Sequence, residues 1–384
     1  MKRLITLIAA ICIAVSSWAY DFTMDGVYYN ITSSTAPYTV EVTYNTIPDI
    51  NDPSYTGDII IPSSVTYNST TYSISAIGHD AFCYSTALSS VTIPSSVTSI
   101  GVRAFSDCTG LSSIAIPGSV TSIEGFAFAV SGLTSAYIPA SVTNLGEDVF
   151  VNCTALTSVS ISPTAPIHTI GTATFSGCTG LTSVTLSDSI TYIGEDAFES
   201  CGMLTAITIP NTVTYIGSYA FQNCTSLATI NIPASICSKD ALTDGVFWGC
   251  TGLSSIYAYS ITPISLSSFT DVFHDVNKTS CVLHVPIGST AAYQDSLQWD
   301  DFTNIVEDLP TAAHNATAST LKISTQNGHA ILSGLAIGET ITIYNLLGTA
   351  IYNQQANAET VAVNLSAHGV YVVRVGEESV KVVY

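Results

Sequence analysis

A phenylalanine returns at nearly constant spacing through the middle of the chain, and this period constrains the fold more than any other feature. Successive positions are 22 to 26 residues apart, most of them 22 or 23. The positions are Phe82, Phe105, Phe128, Phe150, Phe175, Phe198, Phe221 and Phe247, and a leucine follows each of them in phase. Eight returns to one phase predict a solenoid, in which each repeat packs only on its neighbours.

The text of one repeat predicts its local structure. Leu88–Ile93 ends in an alternation of apolar and polar residues, which is typical of a short strand with one buried face. Pro94 ends the strand because it has no N–H group for a ladder. Gly101 suits a tight turn. The segment around Phe105 fits either a helical turn or a second short strand, and the sequence leaves both open.

The N-terminus has the build of a secretory signal peptide. A basic head, Lys2-Arg3, precedes the apolar run Leu4–Val15, and Ser17-Trp-Ala19 supplies small residues at the cleavage positions. The run is too short to span a bilayer, so we expect no transmembrane span in the mature chain. Removal of residues 1–19 leaves six basic and 28 acidic residues, a formal charge of −22. Nucleic acid is therefore excluded as a partner, and anionic membranes are unfavourable.

Six cysteines lie three residues after a phenylalanine of the repeat: Cys108, Cys153, Cys178, Cys201, Cys224 and Cys250. Ser85 and Ser131 take this position in two other repeats. Equivalent positions of stacked repeats lie above one another, so we expect a column of small buried side chains with free thiols. Disulfides are one alternative in a secreted chain. A metal site is the other, but no Cys-x-x-Cys pair occurs, and no metal or cofactor is expected.

The outward positions of the predicted strands form the candidate binding surface. They hold small hydroxyl side chains and very few aromatic ones. Because interface anchors tend to be aromatic residues or arginine, Tyr137 and Tyr257 are candidate ligand contacts on this surface. Tyr192 and Tyr215, at equivalent positions before an Ile-Gly pair, are a second candidate pair. Solvated tyrosines without a ligand are the alternative interpretation.

The sequence shows no arrangement that predicts catalysis. It contains no Gly-x-Ser-x-Gly, His-Glu-x-x-His, phosphate-loop or EF-type calcium motif, and its seven histidines share no position in the repeat. Glu147-Asp148 and Glu195-Asp196 place two acids side by side in two repeats, where a solvated turn is favoured over a cation site. We therefore predict that the protein is not an enzyme.

Segments of different character flank the repeats. Stretches such as Val40–Val42 predict strands that cap the first repeat, and after Leu253 we expect the repeat register to end. Short alternating stretches such as Ile341–Tyr344 predict a small antiparallel β-sandwich. The predicted domains are a signal peptide at 1–19, an N-terminal β cap with a first partial repeat at 20–77, the repeats at 78–260, a C-terminal cap of the solenoid at 261–309, a linker at 310–316 and the β-sandwich at 317–384.

The repeated text resembles the BspA-type leucine-rich repeats of bacterial surface proteins. The shared text is Leu-Thr-Ser-Val-x-Ile-Pro-x-Ser-Val-x-x-Ile-Gly-x-x-Ala-Phe-x-x-Cys, best matched at 181–233. Residues 317–384 resemble the C-terminal sorting domain of the type IX secretion system, through Ile341–Asn345, Gly369–Val373 and Val380–Val383. The resemblance implies a leucine-rich-repeat solenoid with a parallel β-sheet, a Bacteroidetes-type cell and export across the outer membrane.

The function that this resemblance implies is binding at the cell surface or outside the cell. We expect an adhesin for protein or glycan ligands on host or bacterial surfaces, whose residues 317–384 engage the type IX secretion machinery. A structural surface component without a dedicated ligand is the alternative. An enzyme that acts on glycans is the weakest of the three hypotheses.

Overall fold

The structure is a computed structural model, and two compact units make it up. It describes residues 20–45, 54–266, 271–309, 322–326, 329–333, 335, 340–345, 350–358, 360–364, 370–375 and 378–383. The predicted signal peptide and linker lie outside these residues. One unit holds the chain up to His284 with 291–306, and the other holds 285–290 with the chain from Glu307 onward. No helix within the described ranges has the length and apolar character needed to cross a membrane.

A mixed sheet opens the first unit and caps the first repeat. The strands of this region are β1 (Phe22–Met24), β2 (Val27–Ser33), β3 (Thr39–Thr43), β4 (Gly57–Ile60), β5 (Ser64–Tyr67) and β6 (Thr70–Ile77), and all of them except β4 belong to the mixed sheet. β3 pairs parallel with β6, while β4 and β6 each pair parallel with the first strands of the repeats. The open edge of the array is thereby covered, which removes a row of unpaired backbone groups.

The elements that follow are short, as a repeat of this length requires. They are β7 (Leu88–Thr92), β8 (Ser99–Ile100), β9 (Ser122–Ile123), β10 (Ser135–Ile138), β11 (Asn144–Leu145), β12 (Ser158–Ile161), β13 (Thr169–Ile170), β14 (Ser183–Thr185), β15 (Tyr192–Ile193), β16 (Ala206–Ile207), β17 (Tyr215–Ile216), β18 (Thr229–Ile232), β19 (Ser255–Ala258), β20 (Val282–Pro286), α1 (Thr290–Gln294) and β21 (Asn304–Leu309).

Each repeat forms one coil with three sides. The predicted strands form the first side, with β10, β12 and β14 parallel in one sheet and β16, β18, β19 and β20 parallel in another. The expected strand at Leu111–Ile116 is not formed, although the Thr134 N–H still donates to the Ser112 carbonyl at 3.0 Å. The two-residue strands form the second side, which we call the second ladder, in two parallel runs, β8-β9-β11 and β13-β15-β17.

The third side is neither the helix nor the regular strand that the sequence leaves open. We call it the turn ladder, formed by residues 79–84 and the equivalent residues of each later repeat. Two residues per repeat have positive φ, for example Asp148 at 56° and Asn152 at 58°. Three N–H groups per repeat donate to the next repeat, as Phe105 does to Ala127 at 2.7 Å. At the end of the series, the backbone N–H group of Val272 donates to the side-chain oxygen of Gln298 at 3.0 Å.

The core is a stack of phenylalanine rings along the array. All of these rings are buried, and neighbouring centroids lie 4.9 to 5.8 Å apart with planes within 17° of parallel. Tyr55 packs on Phe82 at one end. Phe273 stacks on Phe247 at 5.8 Å, and Trp299 and Phe302 pack edge-on against it. The expectation that the register ends after Leu253 was therefore wrong, since Phe273 and β20 form a ninth coil.

The glycines after isoleucine have a different role from the predicted one. Gly101, Gly146, Gly194 and Gly217 do not have positive φ, so a tight turn does not explain them. A Cβ atom at Gly146 would lie 2.4 Å from the Gly125 nitrogen, because adjacent coils approach closely there. The glycine is needed for the contact between repeats.

Gly146→Ala is expected to lower the free energy of unfolding by about 3 kcal/mol, because the added methyl group meets backbone that cannot move aside. Gly118→Ala is the matched control, since nothing lies within 4 Å of a Cβ atom there. Urea titration of both variants measures the difference. Equal stability of the two variants would contradict the close-approach explanation.

The second unit contains a small antiparallel β-sandwich, as predicted. Its strands are β22 (Lys322–Gln326), β23 (His329–Ser333), β24 (Thr340–Asn345), β25 (Ala350–Gln355), β26 (Thr360–Asn364), β27 (Val370–Val375) and β28 (Glu378–Val383). One sheet has the order β22-β23-β26 and the other β25-β24-β27-β28. Leu332 and Val363 of the first sheet pack with Ile343 and Val373 of the second in one buried cluster. This part of the chain therefore has a core of its own.

Candidate binding surface

The first side of the coils presents rows of hydroxyl groups. We call the outward side chains of β10, β12, β14, β16, β18 and β19, with Thr208, the strand face. It carries Ser135, Ser158, Ser160, Ser183, Thr185, Thr208, Thr229 and Ser255, which are exposed or half-buried. None of these eight hydroxyls has a hydrogen-bond partner among the described residues. By contrast, the hydroxyls of Thr134, Thr157 and Thr182, just before the strands, each donate to a carbonyl of the preceding coil at 2.9 to 3.2 Å.

Charge is segregated away from the strand face. From residue 78 to 275 the chain has thirteen acidic residues, and none lies in the strand text of a repeat. Ten of them belong to the turn ladder: Asp80, Asp107, Glu147, Asp148, Glu195, Asp196, Glu199, Asp244, Asp271 and Asp275. Arg103 is the one lysine or arginine in the turn ladder of these coils, and its Nε lies 2.6 Å from Asp80. The strand face is thus neutral and the turn ladder strongly acidic.

Tyr137 and Tyr257 both lie on the strand face but far from each other. Tyr137 is 57% exposed. Tyr257 is half-buried, and its ring stacks on that of His284 with centroids 4.3 Å apart. β12, β14, β16 and β18 lie between the two tyrosines. The strand face therefore has an aromatic residue at each end, and between them lie small residues that are polar except for Ala206.

Tyr192 and Tyr215 lie on the second ladder, so the structure does not bring them together with the first pair. Their rings stack at 4.7 Å with planes 4° apart. Burial and the neighbouring Tyr215 raise the pKa of Tyr192. Each of these rings therefore covers one face of the other, as His284 covers one face of Tyr257.

A second aromatic group was missed by the sequence reasoning. Trp248 in the turn ladder stacks on His274 at 4.0 Å, and Tyr219 of the preceding coil donates from its hydroxyl to Asp244 at 2.9 Å. The sequence contains a signal for this group, because Trp248 and His274 each directly follow a phenylalanine of the ring stack.

The cysteine column forms as predicted, and its thiols are unpaired with one another. Each of the six is buried, and its Sγ donates to the phenylalanine carbonyl of the preceding coil. The pairs are Cys108 to Phe82 at 3.0 Å, Cys153 to Phe128 at 3.0 Å, Cys178 to Phe150 at 3.1 Å, Cys201 to Phe175 at 3.2 Å, Cys224 to Phe198 at 3.2 Å and Cys250 to Phe221 at 3.0 Å. Burial raises the pKa of every one of these thiols. They are therefore structural groups and poor nucleophiles.

Titration with a thiol reagent is expected to find one fast-reacting group in the folded protein, the exposed Cys237. All nine cysteines after residue 19 should react once the chain is unfolded without reductant. Cys237→Ser should abolish the fast phase alone, which makes it the matched control. A count well below nine in the unfolded chain would contradict the free-thiol column and favour disulfides.

The paired acids of the turn ladder form no metal site in the described residues. No three of histidine, cysteine, aspartate and glutamate converge as metal ligands there. Partial burial, and then the adjacent glutamate, raise the pKa of both Asp148 and Asp196. Like charges side by side with no cation-binding geometry fit a solvated turn.

The repeats can now be compared with known families. The BspA type leucine rich repeat region matches residues 75–167 and 160–274 in six copies, which is more than half of the chain. The chain belongs to the BspA-type leucine-rich repeat family. Proteins of this family are typically binding or scaffold proteins of the cell surface. Residues 310–384 match a second family, described as a domain of unknown function (DUF6383).

Several solved structures are similar to this BspA-type protein. A leucine-rich repeat protein from Bacteroides ovatus is 24% identical, with 76% of this chain and 89% of that chain covered and a TM-score of 0.49. The pneumococcal vaccine antigen PcpA is 15% identical, covering 75% and 98%, with a TM-score of 0.33. The leucine-rich repeat protein of T. pallidum is 22% identical, covering 62% and 86%, with a TM-score of 0.30. No curated protein matches the chain.

Proposed function

We propose that this protein is a secreted or cell-surface adhesin that binds protein or glycan ligands of host or bacterial surfaces through its strand face. The observation that carries the proposal is the set of eight strand-face hydroxyls without internal partners. Hydroxyls elsewhere on the coils stabilise the array, whereas these contribute no hydrogen bond to it. Groups that are regularly placed and unused by the fold are available to a ligand.

The strand face also suits binding because of what surrounds it. The carboxylates of the turn ladder are repelled by anionic surfaces. The protein is therefore expected to approach such a surface with its neutral strand face. Tyr137 and Tyr257 are the proposed contacts of the ligand on this face. Tyr192 and Tyr215 are a second proposal, because they lie on the second ladder and apart from the unpartnered hydroxyls.

A binding screen tests the adhesin proposal. The purified chain from residue 20 is passed over immobilised host matrix proteins, bacterial surface polymers and a broad glycan array. Saturable binding to at least one of them is the expected result. Absence of binding to every member of the panel would overturn the proposal and favour a structural surface component without a dedicated ligand. Turnover of any glycan would favour an enzyme.

We propose further that residues 317–384 direct export by the type IX secretion machinery. The proposal is supported by the separate buried core of the second unit and by the resemblance of its strands to a sorting domain. Deletion of 317–384 in a bacterium with this machinery should leave the chain in the periplasm. A reporter fused to 317–384 should reach the cell surface, and surface display of the deleted chain at its normal level would refute the proposal.

A further inference from the structure

The strand-face hydroxyls form two rows that run along the array. In β10, β12 and β14 the register aligns Ser135 with Ser158 and Ser183, and Tyr137 with Ser160 and Thr185. Neighbouring strands of a sheet are about 4.8 Å apart, so each row offers a hydroxyl at that spacing. A serine or threonine hydroxyl both donates and accepts. A ligand that suits these rows therefore carries hydrogen-bond donors and acceptors that repeat at regular intervals along one direction.

The second half of the strand face continues the same rows with one amide. Asn231 aligns with Tyr257, and Thr229 aligns with Ser255. The Asn231 side-chain amide donates to the Ile209 carbonyl at 2.8 Å, and its oxygen accepts from the Ile209 N–H group at 2.9 Å. These two hydrogen bonds connect β18 to the residues just after β16 in the preceding coil. The face between the tyrosines is thus mostly polar, and the exposed Ala206, which aligns with Thr229, is the one apolar side chain that interrupts the first row.

The aromatic residues stand at the two ends of these rows. Tyr137 and Tyr257 are five coil-to-coil steps apart, which is about 24 Å at the usual strand spacing. Protein partners place their energetic anchors near the centre of an interface, in apolar pockets. An aromatic ring at each end, with hydroxyls between, fits an extended chain whose units expose both C–H surfaces and hydroxyls.

Charge decides which chain of this kind fits. The strand face carries no charged side chain between Ser135 and Tyr257. The ten carboxylates of the turn ladder add a negative field that opposes polyanions. Sulfated and uronate-rich polymers are therefore disfavoured, and an uncharged one is favoured.

We infer that the ligand of the strand face is a neutral glycan chain lying along the array, with its sugar rings on Tyr137 and Tyr257 and its hydroxyls on the serine and threonine rows. This inference rests on the proposed function and names the class of its ligand. Recognition depends on the length of the glycan, because a short saccharide reaches one tyrosine and only part of a row.

Calorimetric titration of the purified chain from residue 20 tests this. The probes are uncharged hexasaccharides of β-glucan, mannan and galactan, the matching disaccharides, and sulfated forms of the same backbones. We expect at least one uncharged hexasaccharide to bind at least tenfold more tightly than its disaccharide and its sulfated form. The double variant Tyr137→Ala/Tyr257→Ala should weaken this binding at least tenfold.

The matched control is Tyr84→Asn/Phe126→Asn, which removes an equal number of rings from positive-φ positions of the turn ladder and should leave the affinity unchanged. Circular dichroism confirms that each variant is folded, and Thr185→Asp, a single exposed change within the rows, should also weaken binding. Absence of binding by every uncharged hexasaccharide, tighter binding of a sulfated form, or an unchanged affinity of the Tyr137/Tyr257 variant would overturn the inference. If protein ligands bind the strand face while uncharged glycans do not, this inference fails and the proposed function stands.

Discussion

Raising the pH from 8 to 10 is expected to lower the free energy of unfolding by about 8 kcal/mol, because the six column thiols cannot ionise inside the array. Desolvation raises the pKa of each above the ordinary value of 9.0, and that of Cys250 to about 12. In the unfolded chain these thiols lose their protons above pH 9. Each then favours unfolding by about 1.4 kcal/mol at pH 10.

The sign of this effect is fixed by the direction of the shift. A folded-state pKa above the unfolded value means that the contribution to stability is complete below pH 9 and is lost as the pH rises through the alkaline range. Urea titrations at pH 8, 9 and 10 measure it. Cys178→Ser should remove about one sixth of the pH-dependent loss, and Ser131 shows that a hydroxyl fits this column. A free energy of unfolding that stays constant up to pH 10 would contradict the buried thiol column.

Phe175→Ala is expected to lower the free energy of unfolding by about 4 kcal/mol. The Phe175 ring is completely buried, and it stacks on Phe150 at 5.6 Å and on Phe198 at 5.2 Å. Its loss opens a cavity at the interface between two coils, and a solenoid is held together by such nearest-neighbour interfaces. Urea titration at pH 7.5 gives the value.

The control for this prediction is another phenylalanine of the same repeats. Phe126 lies in the turn ladder, is 41% exposed and has a φ of 58°. Phe126→Asn removes an equally large ring, and asparagine tolerates this backbone conformation better. Its free energy of unfolding should stay the same or rise by up to about 1 kcal/mol. A similar loss in both variants would show that ring stacking in the column is not what stabilises the array.

The period of the repeat predicts most of the first unit, since Phe, Leu and Cys each return to one position of the coil. The ninth coil was not predicted because Val276 replaces the cysteine three residues after Phe273. The close approach of coils at Gly146 was not predicted either, because the backbone atom that leaves no room for a side chain there belongs to another repeat. Contacts between coils cannot be predicted from the sequence of a single repeat.

The turn ladder was the least predictable side. Its positive-φ positions hold Asp148 and Asn152 in one coil but Phe126 and Val130 in another, so no glycine pattern marks them. Of the candidate site, the hydroxyl rows follow directly from strand alternation. The stack of Tyr257 on His284 could not be foreseen, because the strand that carries His284 was not recognised as a further coil.

The claim that the strand face is the binding side is tested most directly by placing one bulky charge on each side of a single coil. Thr185→Arg lies on the strand face, Thr169→Arg on the second ladder and Ala173→Arg on the turn ladder, where Arg103 already occupies the equivalent position at positive φ. The measurement is the affinity of each variant for the tightest ligand found in the binding screen. The strand-face proposal predicts at least a tenfold loss for Thr185→Arg and unchanged affinity for the other two. Full affinity in Thr185→Arg, with a loss in either of the others, would contradict it.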